Sequence, residues 1–494
     1  MAVDNNGNTR NAADIDGNKQ RIMDIVDEKK GEFIEASDRI WETPETRFTV
    51  PKSVEQHYKV LEREGFDIQK GVAGMDYAYI ATYGTGKPVI GITAEYDALD
   101  NLSQEAGNPN RKPVVEGAPG QGCGHNVLGT GALGAAVALK TLMEEKNLKG
   151  TLKLFGCPAE ESGYGKAFMA RDGVFDDVDA AFTWHPSDTT AVAGGSGLAV
   201  MQANFSFKGL AAHAAAAPEQ GRDALDAATL MTVGVQFLRE HIIDAARIHY
   251  AYLDAGGKSA NVVHPTATLY FFVRAPYLEQ AKPIYDRVVK IAKGAAMMTE
   301  TELKIDFDSA CANYVPNHPL SEDMDRNLDL VGPLQLTDEE LEFESKIQAN
   351  NPKGYEGPLA ERLKAANPSL SDEEVNKIAH SSMALPKFPL IYTTDTKGQA
   401  STDVGDVSWC TPTAQYYGGF EPLGTPAHSW QWVANGQSSV AHKGLVQAAK
   451  TIALTAYDAL TDPELLQAAK DAYAKEFKGK PYKSVIPPET QPHG

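Results

Sequence analysis

The sequence predicts an α/β fold, a mixed central sheet flanked by helices, interrupted by a separate α+β unit. Three observations point there. Between residues 77 and 172 short apolar runs alternate with helical stretches, the pattern of strands crossed over by helices. Near Gly197 the pattern changes to a self-contained strand, helix, strand, helix, strand series that ends near residue 314. Beyond residue 400, glycine-bearing loops and a long apolar helix resume the first pattern. A chain of 494 residues exceeds what one hydrophobic core usually sustains, so two units are expected on length as well.

In order, residues 1–20 are polar and Asn-rich and read as a tail without the apolar run of a secretory signal. Apolar residues at helical spacing from 19 to 64 (Ile22, Ile25, Val26, Phe33, Ile34, Ile40, then Tyr58, Val60, Leu61) predict two helices. Residues 77–83 and 88–93 are short apolar runs bounded by Gly84, Gly86 and Pro88, hence strands. A Pro- and Gly-rich loop, a helix to about residue 146, a strand at 151–157 and a helix near 166–172 follow. In the second unit, 200–207, 262–273 and 302–307 read as strands, with helices at 224–242 and 278–298. Residues 339–377 form a charged helical excursion with helix starts capped at Thr337 and Ser371. A helix spans 440–460, and the segment after 478 is Pro-rich and irregular.

Composition narrows the partners. Forty-six basic against sixty-six acidic side chains give a net charge of -20, which repels nucleic acid and acidic lipid. No segment reads as an uninterrupted membrane span. Four cysteines are too few for a disulfide framework, so a reducing compartment, the cytoplasm, is expected, with Cys123 free to bind metal.

The chemistry-bearing stretch runs from Gly120 to Pro186. It holds GQGCGHN (Cys123, His125), the strand ending GCPAEE (Glu160, Glu161) and the tripeptide WHP (His185), each at a strand end or in a glycine-bearing loop. Singly these are weak signals: a Glu pair is usually a solvated helix start, and His185, like His428 in GTPAHSW, more often packs or caps. Together a thiolate, imidazoles and a carboxylate suit zinc, and also manganese, cobalt or nickel, but not magnesium or calcium. The run Gly129 to Gly134 fits GxGxxG but lies inside a helix after a polar loop, so its glycines are read as close-packing residues. The stretch Gly194 to Leu198 misses the nucleophile elbow at its last position. A Cys123–His125 nucleophile pair is disfavoured by their separation of two, whereas a Cys123–His185 pair stays open.

In the order GCGHN, GCPAEE, WHP, an insert with FKGLAAHAA, ANVVHP and FFVRAP, and finally GTPAHSW, the chain resembles the metal-dependent aminoacylase and carboxypeptidase superfamily, in its amidohydrolase branch. The resemblance implies a discontinuous catalytic domain (21–197 and 315–478), an inserted lid and dimerisation domain (198–314) and a C-terminal tail (479–494). It implies two divalent cations per chain, zinc or manganese, on Cys123, His125, Glu161, His185 and His428, with Glu160 as general base. His213 is expected to steady the oxyanion in a partner subunit's site, and Asn261 and Arg274 to hold a substrate carboxylate. Many relatives carry a ligand histidine where Glu95 stands, a role that the resemblance to the amidohydrolase branch implies passes elsewhere, and Asp97 is expected only to support a ligand. Asp403 and Asp406 are both candidates for such support, and the sequence does not choose between them. The implied reaction is hydrolysis of a linear amide, p-aminobenzoyl-glutamate to p-aminobenzoate and glutamate. A broader N-acyl-amino-acid or dipeptide hydrolase is the second reading, and a non-catalytic partner subunit of a two-component hydrolase the third. The oligomer is expected to be a homodimer or a heterodimer with a homologous subunit.

Overall fold

The computed structural model describes residues 16–383, 386–393 and 400–493. The expected polar tail lies outside them up to residue 15, and its last residues are helical. Asp16 caps α1 (Gly17–Glu42) by accepting the Asn18 N–H, and Ile22, Ile25, Val26, Phe33 and Ile40 form the buried stripe that the spacing predicts. The chain continues through α2 (Pro51–Arg63), β1 (Asp67–Lys70), β2 (Tyr79–Thr85), β3 (Val89–Glu95), α3 (His125–Lys146), β4 (Gly150–Cys157), α4 (Gly165–Arg171), β5 (Ala180–Ser187) and β6 (Ala191–Val192).

The insert contributes β7 (Ala199–Lys208), β8 (Ala212–His213), α5 (Ala224–Arg239), β9 (Arg247–Asp254), β10 (Val262–Val263), β11 (Thr266–Ala275), α6 (Leu278–Thr299) and β12 (Glu302–Cys311). Then come α7 (His318–Val331), α8 (Asp338–Gln348), α9 (Glu356–Ala366), α10 (Asp372–Ala379), α11 (Val404–Cys410), β13 (Thr413–Gly419), α12 (Trp430–Asn435), α13 (Ser439–Thr461) and α14 (Pro463–Phe477). Helices α8 and α10 open with complete capping boxes on Thr337 and Ser371.

The large sheet runs β1-β2-β4-β3-β5-β13-β6. Its four central strands, β4, β3, β5 and β13, are parallel, and antiparallel strands flank them. The central strands are buried on both faces, as strand β3, wholly buried, illustrates. Because β3 connects through α3 to β4 on one side while β5 lies on its other side, the strand order reverses at β3. Ligands of open α/β sheets bind outside the carboxyl ends of strands at such a point.

The second sheet, β12-β7-β11-β9, is antiparallel throughout and backed by α5 and α6. Its apolar core is continuous with Phe155, Phe168 and Phe175 of the first unit. Residues 262–273, expected as one strand, are two: β10 pairs with β8, and β11 enters the four-stranded sheet. Among the described residues the sequence reading misses the short strands β1, β6 and β8 and two longer ones, β9 and β13. Of β9 only Ile248 is buried, so it carries no alternation; β13 is TAQYYGG, whose glycines and glutamine hide a central strand.

Contrary to the expectation that no segment reads as a membrane span, α3 is long and apolar enough by length and composition. Its faces are nearly all covered within this chain: Gly131 and Gly134 let Trp184 and Phe33 approach to where a Cβ would sit at 3.0 and 2.9 Å. The helix is apolar all round because it is central.

Candidate metal centre

Three strand ends and one helix start meet at the point where the order reverses. Strand β3 delivers Glu95 and then Asp97; β4 runs out through Cys157 into Pro158-Ala159-Glu160-Glu161; β5 carries His185; and α3 begins at His125. The turn before α3 needs Gly124, which has φ +72° and stands where a Cβ would lie 2.9 Å from Phe420 and 3.1 Å from Pro186. Ala159, at φ +63°, is a non-glycine residue in the left-handed region, and Gly163 and Tyr164 both donate backbone N–H groups to its carbonyl. Strain of this kind, held by surrounding bonds, is typical of functional loops.

Two imidazoles are oriented alike. His125 Nδ1 lies 3.1 Å from the Asp97 carbonyl oxygen and 3.2 Å from its Oδ1, and His185 Nδ1 lies 2.7 Å from the Pro186 carbonyl. A carbonyl only accepts, so Nδ1 is the donor in both rings and Nε2 is left for a cation. His185 Nε2 is 3.3 Å from Cys123 Sγ. His428, at φ +56° with its N–H on Gly122 O, reaches in from the loop before α12, its Nε2 3.4 Å from Glu161 Oε2. It is the outermost member, with 53% of its side chain exposed.

Ligand atoms of Cys123, His125 and His185 all lie within 4.8 Å of one another, and so do those of Cys123, Glu161 and His428. The thiol belongs to both triads, an arrangement in which one thiolate would bridge two cations. The cluster passes a further test of fit: His125 Nε2 and Glu161 Oε1 are buried with no hydrogen-bond partner among the described residues, a costly state unless a ligand completes them.

The protonation states agree. Burial and the adjacent His125 lower His185 to about 4, so its ring is neutral, the form a cation would need. Burial pushes the Cys123 thiol up, as does Glu161. For His125 burial works downward, but Cys123 and Asp97 more than offset it and hold its proton affinity well above the ordinary value. A cation entering this site therefore displaces protons. Glu160 is held well above the usual carboxylate range by burial and by Glu95 and Glu161, with Oε2 3.8 Å from His125 Nε2. The Cys123–His185 distance would also serve a nucleophile pair. Such a pair needs a depressed thiol, whereas this one is raised, and it makes no use of Glu161 or His428.

Asp97 joins two parts of the site, accepting from His125 through Oδ1 and from the Glu161 N–H through Oδ2 at 3.1 Å. Between Asp403 and Asp406 the structure distinguishes clearly. Asp403 Oδ1 takes the Lys166 ammonium at 2.5 Å, and Lys166 in turn reaches Glu95 Oε1 at 2.7 Å. Asp406 instead accepts from Ala312 N and the Tyr482 hydroxyl, away from the cluster. Lys166 and the role of Glu95 are absent from the sequence reading. The one faint sign is a lysine set among Gly165, Ala167, Phe168 and Met169, where a charge needs a buried partner.

The three residues expected from the insert are not joined to this cluster by any hydrogen bond or ion pair among the described residues. His213 is exposed and accepts the N–H groups of Ala215 and Ala216 through Nδ1, and Asn261 is exposed with its carbonyl on Ala214. Arg274 has no ion pair among the described residues and lies over the Phe272 ring. Its charge is felt by Tyr164 and Cys311, which also feel Glu160.

Residues 91–491 match the family model described as Peptidase family M20/M25/M40. The chain is 43% identical over 472 residues to one of the two named subunits of the p-aminobenzoyl-glutamate hydrolase of Escherichia coli (strain K12), covering 95% of this chain and 98% of that protein. It is 32% identical over 232 residues to the other named subunit of the same hydrolase from that organism, 44% of this chain and 52% of that one. Among solved structures, a Bacillus subtilis protein described as a dinuclear metal binding peptidase from the M20 family superposes with a TM-score of 0.53 at 17% identity, over 88% of this chain and 99% of that one. At that identity the likeness shows the fold.

Proposed function

Because the chain belongs to peptidase family M20/M25/M40, we propose that it is a two-cation amidohydrolase that cleaves p-aminobenzoyl-glutamate to p-aminobenzoate and glutamate. The observation that carries the reaction class is the convergence of two ligand triads on Cys123 beside a buried carboxylate, Glu160, that belongs to neither. The substrate rests on the 43% identity, along nearly the whole of both chains, to a hydrolase subunit named for it.

Cys123, His125 and His185 would hold one cation and Cys123, Glu161 and His428 the other, zinc or manganese by donor type. When bound, such cations polarise an amide carbonyl and make water a better nucleophile near neutral pH. The chain's own residues do the rest. Asp97 and the Pro186 carbonyl hold the two imidazoles in the ligating tautomer. Glu160, with Oε2 3.8 Å from His125 Nε2 and in neither triad, accepts a proton from the attacking water as a carboxylate and delivers it to the amide nitrogen on the glutamate side as the carbon–nitrogen bond breaks. The products are a free amine on glutamate and a carboxylic acid at the cleaved benzoyl carbonyl, so water is consumed one for one.

Arg274, with no ion pair among the described residues, is suited to the substrate carboxylate, with Asn261 as a second donor from the same insert. His213 is exposed and unconnected to its own chain's cluster, which supports a role across a dimer formed through residues 198–314. That the relatives are two homologous, separately named subunits of one hydrolase supports a homologous partner as the second chain. Four free cysteines support a cytoplasmic setting. The test is Glu160→Gln in the purified chain, assayed on p-aminobenzoyl-glutamate with and without a homologous partner. Turnover should fall by at least about 10²-fold while cation content stays at wild-type level. Loss of the cations would exchange the roles of Glu160 and Glu161, and undiminished turnover would remove Glu160 from the reaction.

A further inference from the structure

The proposed hydrolysis leaves one acidic side chain of the cluster without a task. Glu95 ends β3 with 1% of its surface exposed, and its two oxygens face unlike surroundings. Oε1 receives the Lys166 ammonium at 2.7 Å. Lys166 is completely buried and is itself fixed at both ends: its ammonium reaches Asp403 Oδ1 at 2.5 Å, and its backbone N–H reaches Asp403 Oδ2 at 2.8 Å. Asp403 thus has both oxygens on donors.

Glu95 does not. Its Oε2 is buried without a hydrogen-bond partner among the described residues and lies 3.3 Å from His125 Nε2, which is also without one. Since His125 Nδ1 is committed to Asp97, Nε2 is the ring atom that faces a cation, and Glu95 Oε2 sits on the same side. One atom each from Glu95, His125 and Glu160 fall within 4.8 Å of one another. A carboxylate whose only duty was to neutralise Lys166 would find that duty already performed by Asp403. Two carboxylates against one ammonium leave a single negative charge in a space closed to water, and the unpartnered oxygen marks where it is presented.

We propose that Glu95 is a further ligand, through Oε2, of the cation held by His125, and that the Lys166–Asp403 pair is the positioning device that keeps this oxygen aimed. The proposal rests on the two-cation reading above. It also assigns Lys166 a purpose: a salt bridge on Oε1 alone removes the freedom of the carboxylate to turn, as supporting bonds do for metal ligands generally.

Cobalt(II) titration of the metal-free chain separates the possibilities, read by visible absorption and by competition with a chelator. Wild type should take two equivalents. Glu95→Ala should bind one of them at least tenfold more weakly, with an altered absorption band, whereas Glu160→Gln should bind both as wild type does. Neutralising Glu95 leaves Lys166 balanced by Asp403, and Glu95→Gln, of unchanged shape, carries the same measurement if the alanine variant does not fold. A Glu95 variant whose isotherm and spectrum superimpose on wild type overturns the assignment. A wild-type chain that takes up no cobalt overturns the two-cation reading itself, and this assignment with it.

Discussion

Asp97 holds two alignments at once, the His125 ring through Oδ1 and the Glu161 backbone through Oδ2. It touches one side chain from each proposed cation position, directly or through its loop. Its replacement by alanine should therefore weaken cation affinity about 10- to 100-fold, the usual cost of losing such a support, as read by chelator competition; unaltered affinity would reduce Asp97 to a packing residue. The proposed ligand set is legible in the chain because thiol, imidazole and carboxylate sit in glycine-bearing turns after apolar runs, a combination that packing alone does not require. Lys166 and Asp403 are not legible that way. Whether a lysine is buried depends on what folds over it, here Asp403, 237 residues further along the chain. The same distance explains why Asp403 and Asp406, three residues apart on either side of one helical turn, are indistinguishable in the sequence.

At the scale of elements, α3 is placed by its glycines. A Cβ on Gly129 would lie 2.2 Å from the Glu95 carbonyl and 3.1 Å from the His57 ring, so Gly129 sets how closely the helix bearing His125 crosses the strand bearing Glu95. Gly129→Ala should destabilise by roughly 1–3 kcal/mol through overpacking, despite alanine's better helix propensity. Gly294 in α6 faces open space, with nothing within 4 Å, and its alanine variant should gain up to about 1 kcal/mol. Urea unfolding of both checks the sign; a stabilised Gly129→Ala would mean that α3 can slide. Strands and helices buried on one face, such as α1, β11 and α5, are readable from periodicity alone. Edge strand β9 and inner strand β13 fail for opposite reasons: one has too little buried to show a pattern, the other is buried on both faces with small and polar residues.

Across the whole molecule, the net charge of -20 sits on a chain that also buries acids without bases. Glu344 of α8 is completely buried, with one oxygen unpartnered among the described residues and the other 3.4 Å from Asn435 Nδ2. Burial, helped by the charge of Glu340, raises it to about 8 despite that amide. Glu421, completely buried with neither oxygen partnered among the described residues, is held well above the carboxylate range by burial and by Glu344. Asp406 is raised to about 7 by burial, against the Tyr482 and Ala312 donors. In each case the folded state binds a proton that the unfolded chain, with its ordinary carboxyl near about 4, has already released. For Glu344 and Asp406 this contribution is complete below about pH 4, declines above it by up to about 1.4 kcal/mol per pH unit for each, and is fully lost once pH has risen through the folded values of about 8 and about 7. Glu344→Gln keeps the shape of the protonated acid and cannot ionise. It should match wild type near about pH 4 and exceed it by a margin that grows from about pH 5 to about pH 8 and then levels off, with urea unfolding followed at fixed cation concentration so that proton release by the proposed metal centre is common to both. Parallel curves over that range would mean that Glu344 is ionised in the folded chain, and that water or a counterion reaches it between α8 and the loop after β13.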